Sequence, residues 1–148
     1  MKTKIVPDAW FIIMLALSCT FHYLIPVARI IPHPYNLTGI VFILSGFALT
    51  LAANFVMIKS HTTNQPGETP DMLLTTGPFK ISRNPVYLGM TIILMGVEIL
   101  LGSLSALIVP VIFVIIIDRL FIKPEEDVLE SLFGERYSEY SKRVRRWL

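Results

Sequence analysis

Four long apolar stretches set the pattern of the chain. They run over about 10–27, 37–58, 86–101 and 104–122, with short polar or turn-rich segments between them. A helix needs roughly 20 mostly apolar residues to cross about 30 Å of hydrocarbon, and each stretch approaches that length. The pattern therefore predicts an all-α, polytopic membrane protein with about four transmembrane helices, forming a single domain over 1–148.

Two of the connections are turns by composition. The first two stretches are joined by a segment that contains Pro32 and Pro34, and the last two are separated only by Gly102 and Ser103. Because these residues favour turns, the third and fourth helices should form a tight hairpin.

Positive charge indicates how the helices are oriented. Four crossings place the N-terminus, the loop over 60–85 and the C-terminal segment over 124–146 on one face of the membrane. Of the 13 Lys and Arg residues, all but Arg29 fall on that face or at its helix ends. Because basic residues are enriched in cytoplasmic loops, we expect an integral membrane protein with cytoplasmic termini and a cytoplasmic loop.

Composition agrees with a membrane protein and excludes several classes of function. The chain is 53% hydrophobic and 16% charged, with a mean hydropathy of +0.63, which excludes an ordinary soluble domain and makes membrane lipids the surroundings. The single Cys19 excludes an internal disulfide, and His22, His33 and His61 lack the spacing of zinc ligands. The sequence has no Walker loop and no GxSxG motif. We predict no metal, no nucleic-acid partner and no Rossmann-type domain.

The C-terminal segment has the charge pattern of amphipathic helices. It starts with Pro124 and three acidic residues and ends with four basic residues over Lys142–Arg146, which complement helix dipoles at both ends. Apolar side chains recur at helical spacing, and Gly134 should divide the segment into two cytoplasmic helices. One interpretation is a tail that lies on anionic lipid. The other is one wall of a site.

The residues best suited to chemistry lie in two blocks. The loop supplies TTGPFKISRNPVYLG from Thr75 to Gly89, and the C-terminal segment supplies PEEDVL from Pro124 and FGERYSEY from Phe133. Together they bring guanidinium, amide, phenol and paired carboxylate groups to helix starts. Since the intervening hairpin goes out and returns, we expect both blocks to line one pocket.

In these blocks the sequence resembles the isoprenylcysteine carboxyl methyltransferase and phospholipid methyltransferase family of integral membrane enzymes. The resemblance covers about 60–147 and rests on an ordered set: Gly77-Pro-Phe, Ser82 to Gly89, Glu125-Glu126 with Leu129, and Phe133-Gly134, Tyr137, Tyr140 and Arg143. Eukaryotic carboxyl methyltransferases usually have Arg-His-Pro where this chain has Arg-Asn-Pro. The chain therefore looks more like the bacterial and archaeal branch of the family.

The resemblance implies S-adenosylmethionine as cofactor, bound on the cytoplasmic face without a Rossmann fold. Arg83 suits the carboxylate of this cofactor, Glu125 or Glu126 its ammonium and ribose hydroxyls, and an aromatic face its adenine or sulfonium. The implied cofactor-binding residues are Gly77, Pro78, Arg83, Asn84, Pro85, Tyr87, Leu88, Gly89, Glu125, Glu126, Tyr137, Tyr140 and Arg143.

For the methyl transfer itself, we expect Arg83, Glu126 and Arg119 to be the catalytic residues. The acceptor is lipid-like or a small hydrophobic molecule: an isoprenylcysteine-type carboxylate, a phospholipid amine or a thiol. A carboxylate needs only an orienting arginine, whereas an amine needs a base, for which Glu125 and Glu126 are the candidates. Asp118 and Arg119 form either a local pair or the edge of the acceptor entrance.

Several of these residues also have a structural interpretation. Arg83 can anchor its helix at the lipid phosphates, Tyr87 can belong to the interfacial aromatic belt, and Asn84 can cap the third helix. Glu125 and Glu126 can cap the first tail helix. The rival function is a non-enzymatic membrane protein, an assembly factor or a small transporter subunit, with a basic tail that binds lipid.

Overall fold

The structure, a computed structural model, describes residues 6–24, 28–60, 70–104 and 107–148, and these are mainly helical. The α-helices are α1 (Pro7–Leu24), α2 (Thr38–Lys59), α3 (Pro85–Leu101), α4 (Ile108–Ile117), α5 (Lys123–Phe133) and α6 (Glu135–Arg143). Short 3₁₀ turns, Tyr35–Leu37 and Gly77–Lys80, lie ahead of α2 and α3. The all-α prediction is confirmed. Parts of the predicted first and fourth stretches and of the loop, at 25–27, 105–106 and 61–69, lie outside the described residues.

Among the described residues, two helices are long and apolar enough to cross a bilayer. They are Pro7–Leu24 and Tyr35–Lys59, while Pro85–Leu101 is apolar but shorter, with 17 residues. The fourth stretch forms the ten-residue α4, which continues without a break through a π turn into α5. Two helices therefore meet the length criterion, and four crossings stay a prediction.

The π turn, Asp118–Ile122, explains how the helix continues past Pro124 without a break. Pro124 has no N–H to donate to the carbonyl four residues earlier, which normally ends or kinks a helix. Directly before it, the Lys123 N–H reaches back five residues to the carbonyl of Asp118. The wider turn lets α4 and α5 form one continuous helix, although the sequence predicts a new helix at Pro124.

Glycines bring α2 and α3 into close contact. A Cβ added at Gly46 would lie 2.6 Å from the carbonyl oxygen of Gly89, and one at Gly96 would lie 2.7 Å from that of Gly39. Only hydrogen fits at such positions, so the two backbones pack directly against each other. α3 also packs against α1 and α4, and most of its residues are buried.

The two helix connections meet at one end of the bundle. Gly102 ends α3 in the left-handed conformation (φ 70°). Its carbonyl accepts a hydrogen bond from the Ile30 N–H at 2.9 Å, and the Leu104 N–H donates to the Ala28 carbonyl at 2.9 Å. Leu104 also lies in a turn outside both helices, so this connection is longer than the predicted two residues. The end of α2, the start of α3 and the end of α4 therefore meet at the opposite end, with α5 and α6.

The C-terminal segment divides where predicted and then turns back. Gly134 (φ 49°) separates α5 from α6, which confirms the predicted division. α6 ends before Val144, which is extended (φ −120°, ψ 126°), and Trp147 packs against the buried core. The chain end thus returns to the bundle and does not continue as a free helix.

Candidate active site

The turn that precedes α3 fixes the position of Arg83. The buried Ser82 hydroxyl accepts a hydrogen bond from the Asn84 backbone N–H at 3.1 Å. Pro85 is the first residue of α3, a position where the missing N–H of proline removes no helical bond. The Arg83 backbone N–H donates to the carbonyl of Arg145 at 3.0 Å. Arg83 is therefore held between the start of α3 and the returning chain end.

The Arg83 side chain joins α3 to both C-terminal helices. Its Nη2 lies 3.0 Å from Glu126 Oε1, and its Nη1 donates to the Tyr137 hydroxyl at 3.1 Å. Its Cζ lies 5.7 Å from the centre of the Tyr137 ring. The Arg83 and Glu126 side chains are each only 15% exposed, so water screens their attraction weakly. Arg83 Nε is buried and has no hydrogen-bond partner among the described residues.

Arg146 is a member of this cluster that the sequence did not predict. Its Nε donates to Glu126 Oε1 at 3.1 Å, its Nη2 is in close contact with Glu126 Oε2, and its Nη1 lies 3.0 Å from Asp118 Oδ1. The hydrogen bonds with Glu126 raise the pKa of Arg146 above its ordinary value. In the sequence, Arg146 is one of four nearby basic residues that fit a helix dipole equally well, so no sequence signal singles it out.

A second pair lies beside the first. The Tyr87 hydroxyl of α3 donates to Glu125 Oε1 at 2.7 Å, and Tyr87 is buried. Burial raises the pKa of Glu125 to about 7; the negative charge of Glu126 acts in the same direction, and the Tyr87 hydrogen bond acts against it. Glu125 can therefore take up or release a proton near neutral pH.

An aromatic pair borders the cluster on one side. The rings of Tyr137 and Tyr140 meet edge to face with centroids 6.4 Å apart, and the Tyr140 hydroxyl donates to the Phe79 carbonyl at 2.6 Å. Beyond Tyr140 lies an open groove of about 500 Å³. It is lined by Leu73, Thr75, Lys80, Arg136, Glu139, Tyr140, Arg143 and Val144.

The structure brings many of the predicted residues together. Arg83, Glu126 and Tyr137 contact one another, and Tyr87 contacts Glu125 on the adjacent position of α5. Asn84, Pro85 and Leu88 belong to the same start of α3, while Gly77, Pro78 and Tyr140 lie at the neighbouring turn and Arg143 lies in the groove. The Asn84 side chain makes no capping bond to α3 and donates to the Arg146 carbonyl at 3.2 Å.

Two predicted residues lie apart from this cluster. Gly89 faces α2, where an added Cβ would lie 2.8 Å from the Gly46 carbonyl oxygen. Arg119 is exposed on the π turn. Of the two interpretations of Asp118 and Arg119, the local pair is wrong because Asp118 pairs with Arg146, and the edge of the acceptor entrance stays a prediction.

Comparison with known proteins places the chain in a family. Residues 35–136 match the model of the phospholipid methyltransferase family, a range that includes Arg83, Tyr87, Glu125 and Glu126. The chain belongs to the phospholipid methyltransferase family. The recognised resemblance is thereby confirmed at the level of the family.

Individual relatives agree with this membership. The chain is 31% identical over 112 residues to protein-S-isoprenylcysteine O-methyltransferase B of Arabidopsis thaliana, covering 72% of this chain and 55% of that protein. It is 31% identical over 88 residues to protein-S-isoprenylcysteine O-methyltransferase of Schizosaccharomyces pombe, covering 57% of this chain and 36% of that protein. It is also 40% identical over 63 residues, 43% of this chain, to an uncharacterized protein of Haemophilus influenzae along that protein's full length. No solved structure matches the chain.

Proposed function

We propose that the protein is an integral membrane methyltransferase that uses S-adenosylmethionine and acts on a lipid-like or small hydrophobic acceptor. The single observation that carries the proposal is the weakly exposed Arg83–Glu126 pair, which joins the start of α3 to α5. Family membership supports the reaction class. In the proposed topology, α1, α2, α3 and α4 cross the bilayer, and the site and both termini are cytoplasmic.

The residues present suit this cofactor. Arg83 Nε is a buried donor without a partner in the described part of the chain, so the guanidinium has a position left for a carboxylate. Tyr137 supplies an aromatic ring beside Arg83, and aromatic faces attract positive charge such as that of a sulfonium. We propose that Arg83, Asn84, Tyr87, Glu125, Glu126, Tyr137 and Tyr140 hold the cofactor. When bound, S-adenosylmethionine supplies an electrophilic methyl group.

The residues of the chain then have three tasks. Arg83 and Glu126 bind and orient charged groups, and the low exposure of their side chains keeps water from the reacting atoms. Glu125 has one oxygen bonded to Tyr87, which leaves Oε2 to accept a proton. If the acceptor is an amine, we propose that Glu125 Oε2 takes this proton, because burial brings its pKa to about 7. A carboxylate acceptor needs no base.

The names of the relatives support a lipid-linked acceptor without choosing its chemical group. The family is named for phospholipids, whereas the matched proteins of Schizosaccharomyces pombe and Arabidopsis thaliana are named for an isoprenylcysteine. The chain spans 36% and 55% of those two proteins. We therefore propose an apolar acceptor that enters from the bilayer and is an isoprenylcysteine-type carboxylate, a phospholipid amine or a thiol.

Calorimetric titration with S-adenosylhomocysteine, the product of the cofactor, tests the proposal. The detergent-purified protein should bind it, and Glu126→Ala should abolish the heat of binding without unfolding the protein. Glu130→Ala, an exposed change in the same helix, should bind as the wild type does. No heat from the wild type at high protein concentration would contradict the proposal and favour the non-enzymatic protein with a lipid-binding tail.

A further inference from the structure

We infer that Arg146 is a positioning residue that sets the orientation of Glu126 and of the turn carrying Arg83. The inference rests on the proposed function, because it concerns the same cofactor site. It assigns a role in that site to the chain end, Val144–Leu148, which the charge pattern alone assigns to a helix dipole or to lipid.

The hydrogen bonds of Glu126 carry the first step. An ionised carboxylate offers about four acceptor positions. Oε1 accepts from Arg83 Nη2 at 3.0 Å and from Arg146 Nε at 3.1 Å, and Oε2 accepts from Arg146 Nη2. Arg146 thus makes two of the three guanidinium contacts of Glu126, in the forked geometry that fixes the plane of a carboxylate. The Tyr137 hydroxyl also hydrogen-bonds with Glu126. Because Arg146 supplies the forked pair of donors, it sets the orientation in which Glu126 faces the site.

The second contact of Arg146 fixes the helix that carries Glu126. Its Nη1 lies 3.0 Å from Asp118 Oδ1, at the first residue of the π turn. Asp118 and Glu126 stand on either side of Pro124, where the regular bonding pattern is interrupted. The Arg146 guanidinium contacts both Asp118 and Glu126, so it links the part of the helix before Pro124 to the part after it.

The backbone around Arg146 holds the other partner of the pair. The Arg146 carbonyl accepts from the Ser82 hydroxyl at 3.0 Å and from the Asn84 side-chain amide at 3.2 Å. The Arg145 carbonyl accepts from the Arg83 N–H at 3.0 Å. The same short segment therefore positions Arg83 through its backbone and Glu126 through its side chain.

Arg145 provides a matched control. It is adjacent, equally basic and exposed, and its contact with the site is made by its backbone carbonyl, which substitution leaves in place. An effect of Arg146 that Arg145 does not share therefore cannot be attributed to net positive charge or to the tail as a lipid anchor.

The experiment compares S-adenosylhomocysteine affinity in variants of the 148-residue chain. Arg146→Ala should weaken binding about tenfold or more, because Glu126 loses two charge-assisted hydrogen bonds. Arg146→Lys keeps the positive charge but loses the forked pair of donors, so its affinity should lie between those of Arg146→Ala and the wild type. Arg145→Ala should bind within about twofold of the wild type, the range expected when no contact is removed.

Chemical rescue separates positioning from general support of the fold. The Arg146 side chain is 31% exposed, so a small cation can enter the space left by Arg146→Ala. Added N-ethylguanidinium should restore affinity in Arg146→Ala and leave the wild type unchanged. Equal losses in Arg145→Ala and Arg146→Ala, or no loss in Arg146→Ala, would overturn the inference, as would the absence of rescue.

A second experiment, which measures tryptophan fluorescence, needs no cofactor. In a Trp10→Phe background, Trp147 is the remaining tryptophan and packs against the core. Glu126→Gln and Arg146→Ala should each shift its emission to longer wavelength, and Arg145→Ala should not. Unchanged Trp147 emission in Glu126→Gln would overturn the claim that Glu126 holds the chain end through Arg146. If the wild type bound no S-adenosylhomocysteine while these shifts occurred, that claim would stand and the proposed function would fail.

Discussion

At the scale of residues, two adjacent carboxylates have different surroundings. Glu126 lies between the guanidinium groups of Arg83 and Arg146, whereas Glu125 faces the hydroxyl of Tyr87. Burial raises the pKa of Glu125, whereas Glu126 is contacted by two guanidinium groups. One residue is therefore suited to hold a cation or a hydroxyl, and the other to exchange a proton.

Glu125→Gln should change how stability depends on pH. Burial raises the pKa of Glu125 from 4.5 to about 7, so between these values the folded protein binds a proton that the unfolded chain has released. The stability from this group is complete below the unfolded pKa and is lost as pH rises through the folded pKa. The apparent melting temperature in detergent should therefore fall less between about pH 5 and about pH 8 in Glu125→Gln than in the wild type.

The control for that change is Asp127→Asn, which removes an exposed acidic group from the same helix. It should keep the pH dependence of the wild type. Equal pH dependence in Glu125→Gln and the wild type would contradict the burial of Glu125.

Residue types were easier to predict than partners. Arg83, Tyr87 and the two glutamates follow from their chemistry and from the order of the two blocks. The pair of Asp118 with Arg119 fails because neighbours on a helix point in different directions, about 100° apart. Arg146 is missed because its partners lie 20 and 28 positions away, and only the returning chain end brings them into contact.

At the scale of elements, close contact between α2 and α3 sets the platform for the site. Gly46 and Gly89 leave no space for a side chain between the two backbones. Gly89 comes two residues after Tyr87, about 200° further round the helix, so the face of α3 opposite Tyr87 is fixed against α2. The resemblance implies a role for Gly89 in cofactor binding, and the geometry gives it a second role in packing.

Gly89→Ala separates these roles. The added methyl group meets the Gly46 carbonyl and should destabilise the protein by about 1–3 kcal/mol, as overpacking does. Its melting temperature should fall while the folded fraction keeps its affinity for S-adenosylhomocysteine. Ala48→Val, an enlargement on the exposed face of α2, should melt as the wild type does. A normal melting temperature combined with lost affinity would contradict the packing role.

Some element boundaries could be predicted and others could not. Gly134 and Gly102 adopt positive φ, which glycine tolerates, and their positions as helix ends follow from the sequence. Pro124 was predicted to begin a helix because proline favours first positions. The continuous passage from α4 to α5 depends on a π turn, which leaves no pattern of its own in the sequence.

At the scale of the whole molecule, the bundle has a connection end and a site end. The connections around Ile30 and Gly102 are hydrogen-bonded at one end, and the Arg83 cluster lies at the other. Basic residues concentrate at the site end, which predicts that this end is cytoplasmic. The predicted count of four crossings and the predicted orientation rest on the alternation of the helices together with this charge bias.

Labelling of single cysteines tests that orientation. In a Cys19→Ser background, Tyr35→Cys lies at the connection end and Glu130→Cys in α5 at the site end, both at exposed positions. A membrane-impermeant maleimide should label Tyr35→Cys in intact spheroplasts. It should label Glu130→Cys only after the membrane is made permeable. The reverse pattern would contradict the cytoplasmic site.

Transfer of a labelled methyl group tests the central claim most directly. Purified protein in liposomes made from a total lipid extract receives S-adenosylmethionine with a tritiated methyl group, and label in the organic phase is measured. The wild type and Glu130→Ala should transfer label into an extractable apolar product, and Glu126→Ala should not. Label transfer that persists in Glu126→Ala, or is absent from the wild type, would contradict a methyltransferase built on the Arg83–Glu126 pair.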